Sequence, residues 1–412
     1  MQKGPLPGFR DFYPGELAER AHIMRVWREV ARRFAFAEYD VPPLEALELY
    51  TTKSGAEIVG QLYNFVDKGE RAVALRPEMT PTLARMVAAS ERSYKKPIKW
   101  FAIPQLFRYE RQQKGRLREH FQLNADIIGE TDPAADAELI ALLIDSLRDL
   151  GLTANDFVIR LSSRNAWQDF FNARCGDASK AYEFYQVIDK LEREQPEITE
   201  GKLKALGIGA DEVKSFVQSG TPTTELESVL RHLRSRGLEG FVQIDYNIIR
   251  GLAYYTGVVF EAFAKGATMR AVAGGGRYNN LIKLISGDRV DLPALGFGMG
   301  DVVLADLLAE RKLIPSLKST IDVFVLVEDE TLRDQSLSVV QALRESGVSV
   351  EYSLTPAKGD KQFKRALELN ARFTVRCQAT QLCILKDLRE QSQAELPINE
   401  ALDRVAAVLK PT

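Results

Sequence analysis

The sequence predicts an α+β protein: an antiparallel sheet flanked by helices and carrying a helical insertion, followed by a C-terminal α/β domain. Three observations predict it. The aromatic-rich runs KWFAIPQLFRYE and HFQLNADIIG flank the polar RQQKGRLR as the arms of an antiparallel hairpin flank a long basic loop, and strand signals return later in FVQIDYNII, GVVFEAF, MRAVAGGG and PALGFGMG. From about Asn165 to Gly240 the chain turns charged, helical and punctuated by Gly and Pro. Beyond a break near Leu313 to Ser319, strand and helix alternate, which predicts a separate domain with a largely parallel sheet. At about 150 residues per domain, a chain of 412 residues holds two to three domains. The expected boundaries are 1–164 and 241–316 for one interrupted domain, 165–240 for the insertion and 317–412 for the tail.

Taken in order, Glu16 to Phe36 has the apolar spacing of an amphipathic helix, with Leu17, Ala21, Met24, Val26, Trp27 and Val30 on one side. Val41, Pro42 and Pro43 suit an extended edge, because proline has no N–H to give to a neighbouring strand. A helix is expected from about Thr82 to Ser90. Another runs over Pro133 to Leu150, with Asp132 as its N-cap and proline at the first helical position. Phe157 to Leu161 reads as a strand and VVLADLLAE as an apolar helix. In the tail, IDVFVLV, VSVEYSL, RFTVRC and CILKDL alternate with helices at Thr331 to Ser346, Asp360 to Asn370 and Asn399 to Leu409.

Composition removes several classes of function. With 55 Lys plus Arg against 57 Asp plus Glu, the net charge of -2 supplies no overall field towards polyanions or membranes, so any nucleic-acid contact must be local. No run of eighteen apolar residues occurs and the first residues lack a signal-peptide pattern, which makes a cytoplasmic protein the expectation. Cys175, Cys377 and Cys383 are too few for a disulfide framework, and His22, His120 and His232 are scattered without an HExxH or CxxC pattern. No metal site built from protein side chains is expected.

Three clusters carry chemistry. Arg108, Arg111, Lys114, Arg116 and Arg118 crowd the hairpin, with Glu110 and Glu119 among them, and guanidinium forks donate two bonds at once to phosphate oxygens. A solvated charged loop has the same composition. RGLAYY, Arg250 to Tyr255, sets a cation beside paired tyrosines, suited to a polar-aromatic pocket or simply to a packed strand end. Gly274, Gly275 and Gly276, followed by Arg277 and Tyr278, let backbone approach a ligand, or make a turn. No GK[ST] follows, so this is not a phosphate-binding P-loop, and GFGMGD at Gly296 lacks the third glycine and the later acidic residue of a dinucleotide site.

In this order and at these intervals the segments resemble the class II aminoacyl-tRNA synthetases, and among them the histidyl-tRNA synthetase family. FRYERQQKGRLREHFQ is similar to the family's motif 2. RGLAYYTGVVFEA and AGGGRYNNL are similar to its two histidine-specific segments, usually RGLDYY and AGGRYDGL. RPEMT resembles the RPEGT of the amino-acid pocket, and the likeness runs from PGFRDFYPGE into the tail. The resemblance implies a class II synthetase-like antiparallel sheet and an anticodon-binding-type tail. It implies ATP-dependent activation of L-histidine to histidyl-adenylate and transfer to the 3′ end of tRNA(His), a ligase reaction with ATP as substrate and Mg2+ on the nucleotide.

Carried across, it implies that Glu78 and Thr80 hold the α-amino group with Gln122 and Asp126 in the same pocket. Tyr254 and Tyr255 line the imidazole site. Arg108 and Arg250 act on the reacting groups, with Glu110 and Arg277 also at the ATP. Gln113 and Arg118 meet the tRNA acceptor end, and Lys361, Lys364 and Arg365 contact tRNA from the tail. The N-terminal helix and Val41 to Pro43 match the family's motif 1, which implies a homodimer. Two positions depart from the pattern: Val303 stands where motif 3 has arginine, and Ala253 where RGLDYY has aspartate; Asp126 also replaces the more frequent glutamate. The tail also lacks the usual glycine turn after its third strand. These departures keep a second reading open, the synthetase-like regulatory subunit of ATP phosphoribosyltransferase. Arg108, Arg250, Gln113 and the tail favour the enzyme, with Arg289 the alternative cation for Val303.

Overall fold

The computed structural model describes residues 4–109, 117–191, 194–248, 255–266, 271–315, 321–379 and 381–409. The chain divides into two compact units, Met1–Pro315 and Ser316–Thr412.

The first unit is built on a nine-stranded sheet. Its strands run in the order Ala37–Glu38, Ile98–Ala102, Glu119–Ile128, Ala294–Gly300, Ala273–Arg277, Val258–Ala264, Phe157–Ser163 and Val242–Ile244. Gln105–Phe107 pairs with the start of Glu119–Ile128, forming the expected hairpin, whose loop over 110–116 lies outside the described residues. The inner pairings are antiparallel and the two edge pairings parallel.

Strand alternation divides the sheet into a dry face and a wet one. Leu123, Ala125, Ile127, Leu295, Phe297, Met299, Phe260 and Ala262 belong to one large core. Helices Pro14–Arg33, Pro133–Arg148 and Asp301–Glu310 supply the other side of that core through Trp27 and Val30, Leu139 to Leu147, and Leu304, Leu307 and Leu308. Burying each such leucine or phenylalanine is worth about 1.5–3 kcal/mol. Pro133–Arg148 begins as its sequence predicts: Asp132 accepts from the Ala134 N–H at 2.8 Å, with proline at the first turn.

The segment after Phe157–Ser163 folds into helices Arg164–Asn172, Ala181–Ile188, Pro196–Ala205, Ala210–Ser219 and Thr224–Arg234. Trp167, Phe170, Phe184, Phe216 and Tyr246 form its aromatic centre, with the Phe216 and Tyr246 rings stacked at 4.6 Å and the Trp167 Nε1 donating to Tyr246 O. These residues join the same core as the sheet, so the helices are packed into the first unit.

Two expectations need correction. Val41 to Pro43 is not a strand: the short strands lie on either side, at Ala37–Glu38 and Leu44–Ala46, because two prolines in succession leave no N–H to pair. The tail sheet is mixed rather than largely parallel. Val323–Leu326 pairs in parallel with Val350–Tyr352 and Phe373–Cys377, whereas Leu382–Asp387 and Ser392–Pro397 add antiparallel strands. Gln381 and Gln391, at φ +60° and +51°, take left-handed turn positions beside these hairpin strands, a conformation that glycine more often supplies. Helices Arg333–Glu345, Gly359–Glu368 and Ile398–Leu409 complete the tail unit.

Candidate functional site

The face of the large sheet opposite the core has a glycine floor. Gly274 pairs with Gly298 and Gly276 with Gly296, and Gly296 and Gly298 lie opposite Asp126 and Asn124 on the next strand. Gly276 and Gly296 cannot be other residues without a shift. A methyl group at Gly296 would fall 1.9 Å from Asp126 Oδ1, and one at Gly276 would meet Val258 O at 2.6 Å and the Tyr255 ring at 3.1 Å. Strand sequence fixes the rest, since residues two apart share a face. Gln122, Asn124 and Asp126 therefore project beside the glycines while Leu123, Ala125 and Ile127 enter the core.

Asp126 is enclosed on this face. It is buried, the Tyr278 hydroxyl donates to it at 2.5 Å, and burial pushes its carboxyl up to about 7 against the pull of that hydrogen bond. Tyr255 and Tyr278 meet in one apolar cluster with Leu83, Leu281, Ile282 and Trp100. Tyr278 stood in the glycine-rich cluster of the sequence without a role; its hydroxyl on Asp126 ties it to this face.

Glu78 and Thr80 sit where Ala72–Leu75 gives way to the helix Thr80–Ala89. Lys53, which nothing in its sequence context singles out, places Nζ 2.5 Å from Glu78 Oε2. Arg108, just beyond Gln105–Phe107, donates from Nε to Pro77 O at 3.1 Å, and its N–H donates to Arg118 O. The structure thus joins Arg108 to the segment that carries Glu78. The Arg118 guanidinium lies over the Tyr109 ring at 4.4 Å, and its N–H donates to Gly8 O. His120 shares the face of Gln122, and burial, then Arg108 and Arg10, push its imidazole down to about 3.

Arg277 is placed otherwise than its sequence position suggests. It is 2% exposed, and its guanidinium is committed to the Asp136 carboxylate and to the carbonyls of Glu130 and Asp132. An arginine so enclosed has its fork turned into the protein rather than towards a nucleotide, so its expected place at the ATP is corrected. Glu110, Gln113, Arg250 and Tyr254 lie outside the described residues. Val303 packs against the large core, and Arg289 donates from Nε to Ser286 O. Asp301, at the start of the helix that carries Val303, is held by Arg10 at 3.0 Å and accepts from the Phe121 N–H at 2.9 Å.

In the tail, Lys361, Lys364 and Arg365 stand exposed on Gly359–Glu368, whose other side buries Gln362 and Ala366. Among the described residues, no group of three or more His, Cys, Asp or Glu is gathered to hold a metal ion.

Comparison with known proteins gives a consistent result. Residues 8–300 match the family model described as histidyl-tRNA synthetase, and residues 321–407 the model described as anticodon binding domain. The chain is 43% identical over 418 residues to a histidine–tRNA ligase of Opitutus terrae, covering 95% of each chain. It is 37% identical over 387 residues to the chloroplastic/mitochondrial histidine–tRNA ligase of Arabidopsis thaliana, covering 90% of this chain and 79% of the other. Among solved structures, a histidyl-tRNA synthetase from Nostoc sp. matches with a TM-score of 0.81 at 24% identity, over 99% of this chain and 100% of that one. A protein of Bacillus halodurans, described as an ATP phosphoribosyltransferase regulatory subunit/histidyl-tRNA synthetase, matches at 0.74 and 20% identity over 92% and 98%. At these identities the two structures share the fold.

Proposed function

The chain belongs to the histidyl-tRNA synthetase family, and from that premise we propose that it activates L-histidine with ATP and transfers the histidyl group to the 3′ end of a histidine tRNA. The observation that carries the proposal is the pairing, in one chain, of a glycine-floored sheet face bearing Gln122 and Asp126, with Tyr255 and Tyr278 beside it, and an anticodon-binding-type tail.

In the first step a histidine carboxylate oxygen attacks the ATP α-phosphorus, the bond to the β-phosphate oxygen breaks, and pyrophosphate leaves. Two anions must approach in line, so cations offset their repulsion and the charge that grows in the transition state. Arg108 and Arg250 take this part on our reading, with Glu110 at the nucleotide. Glu78 and Thr80 hold the α-ammonium group, Gln122 assists them, and Asp126 with Tyr254, Tyr255 and Tyr278 receives the imidazole. A ribose hydroxyl of the tRNA terminus then attacks the adenylate carbonyl and AMP leaves. No protein nucleophile is needed, because holding the reactants together supplies the advantage. Gln113 and Arg118 are assigned to the acceptor end, and Lys361, Lys364 and Arg365 to tRNA phosphates.

ATP brings a divalent cation on its phosphate oxygens, magnesium on our reading. Such an ion takes only one or two carboxylates from a protein. Glu261 shares the glycine face opposite Gly274 and is the residue we assign to it. We further propose a homodimer in the cytoplasm. Leu17 on the N-terminal helix and Leu44, next to Val41 to Pro43, are exposed apolar residues on or beside the segments that the resemblance places at the dimer contact, and no helix among the described residues is long and apolar enough to cross a membrane.

The test is histidine-dependent exchange of labelled pyrophosphate into ATP by the purified protein, abolished by substitution of Arg250. Absence of exchange together with binding to a phosphoribosyltransferase catalytic subunit would favour the regulatory reading. The match of 321–407 to an anticodon binding domain and the 43% identity to a histidine–tRNA ligase support the enzyme. Light scattering at micromolar concentration checks the dimer.

A further inference from the structure

We propose that Arg277 is a positioning residue of the histidine pocket: its buried fork, locked onto Asp136, holds in register the two segments that carry Tyr255 and Tyr278. The inference rests on the reading of that face as the histidine site.

The side chain anchors and the main chain distributes. Nε lies 3.0 and 2.9 Å from the two oxygens of Asp136, which is 0% exposed, while Nη1 donates to Glu130 O at 3.0 Å and Nη2 to Asp132 O at 2.8 Å. All three acceptors sit on the turn that starts Pro133–Arg148, so Arg277 ties the end of its strand to a helix fixed in the core. Planar, bidentate geometry makes this a rigid tether that a single ammonium could not reproduce.

From this point the backbone reaches both halves of the pocket. Arg277 O accepts from the Thr256 N–H at 2.8 Å, the Asn279 N–H donates to Thr256 Oγ1 at 3.1 Å, and Tyr278 N donates to Ala294 O at 2.7 Å. Tyr278 then presents its hydroxyl to Asp126, and Tyr255, next to Thr256, lies against Gly276. The insertion closes on the same spot. A methyl group at Gly257 would stand 3.1 Å from Arg277 Cδ and 3.4 Å from Glu225 Oε1, so a helix of the insertion packs where the tether meets the pocket. Burial pushes the Glu225 carboxyl up and Arg277 pulls it back.

Removing Arg277 alone would leave the buried Asp136 carboxyl without its partner, which is strongly destabilising. The double variant R277M/D136L replaces both partners with apolar groups, and R277K keeps the charge without the fork. Pyrophosphate exchange is measured with histidine and ATP titrated separately, alongside the unsubstituted enzyme. Displacing a pocket by about 1 Å costs on the order of 100-fold, so both variants are expected to raise the KM for histidine roughly 10- to 100-fold. The KM for ATP should stay within about twofold. A rise in the KM for ATP that matches or exceeds that for histidine would make Arg277 a nucleotide contact and overturn the proposal, as would an unchanged KM for histidine in a folded variant. If neither variant folds, Thr256→Val, which removes only the Asn279 link, must give the same split or the proposal fails. Lack of histidine-dependent exchange in the unsubstituted enzyme is a separate outcome: it removes the histidine reading itself and this inference with it.

Discussion

The Lys53 ammonium stands 2.5 Å from Glu78, with the lysine side chain 4% exposed and the glutamate side chain 23%. Glu78 is the group we assign to the substrate α-ammonium, so in the free protein an internal cation already faces the carboxylate that awaits an external one. Lys53 thereby holds the Glu78 side chain oriented before histidine binds. Glu78→Gln removes the charge that both cations use. A hydrogen bond to a charged group is worth about 1.5–3 kcal/mol, so the KM for histidine should rise roughly 10- to 150-fold. The KM for ATP should hold, and pyrophosphate exchange measures both. Equal loss for the two substrates would place Glu78 outside the amino-acid pocket.

Gly296 and Asp126 give a steric prediction. A methyl group at Gly296 would lie 1.9 Å from Asp126 Oδ1, with Ala125 O at 3.1 Å. Asp126 would have to leave its position and with it the Tyr278 hydroxyl. Gly296→Ala should therefore lower kcat/KM for histidine by about 100-fold or more. At Gly298 a methyl group meets the side chain of Gln122 at 2.8 Å. That side chain is flexible and can swing away, so Gly298→Ala is expected to cost less than Gly296→Ala. The reverse order would mean that Asp126 is not central to the pocket.

The wet face was legible in the sequence because its determinants are local. Glycines at alternate positions of two strands, a run of polar residues at Gln122, Asn124 and Asp126, and the order of the segments all survive in one dimension. The tether was not. Alternation reports on which side of a sheet Arg277 projects, yet its choice of Asp136 over a nucleotide depends on a helix some 140 residues away in sequence. Lys53 is one lysine at the end of a short helix, Leu47–Ser54, and only the folded chain brings it to Glu78. Ser392–Pro397 escaped notice because SQAELP has no β-branched or aromatic residue, and its strand character comes from pairing with Leu382–Asp387. That omission is what made the tail sheet read as largely parallel.

His120 and Asp126 make opposite contributions to acid stability. Burial, with Arg108 and Arg10, holds the His120 imidazole near about 3, whereas an unfolded histidine titrates near about 6.5. Below pH 6.5, approximately, the unfolded chain gains a proton that the native one refuses, so this contribution to stability is lost as pH falls towards 3. Asp126, raised to about 7, keeps in the native state a proton that the unfolded carboxyl has released, so its contribution is lost as pH rises towards 7. Thermal unfolding followed between pH 4.5 and 7.5, roughly, should show a weaker loss on acidification for His120→Gln than for the parent. Asp126→Asn should show a gain relative to the parent that grows towards neutral pH. Parallel curves for parent and variants would mean that neither group is held as burial dictates.

On the tail helix Gly359–Glu368, Lys361, Lys364 and Arg365 sit at spacings of three and four and share the exposed face, while Gln362 and Ala366 are buried. Arg365 is already engaged by Glu368 at 3.2 Å, which leaves the two lysines as the better test. K361E/K364E changes exposed groups only, so the fold and histidine-dependent pyrophosphate exchange, a reaction without tRNA, should be untouched. If the lysines meet RNA phosphates, the KM for tRNA should rise about tenfold. The slope of its logarithm against the logarithm of salt concentration should fall by about 1.4 to 1.8, since each of the two phosphate contacts contributes roughly 0.7–0.9. Weakening of tRNA binding without a change in that slope would mean that the two lysines do not act through phosphate charge. An unchanged KM for tRNA would move the RNA contact to another face of the tail.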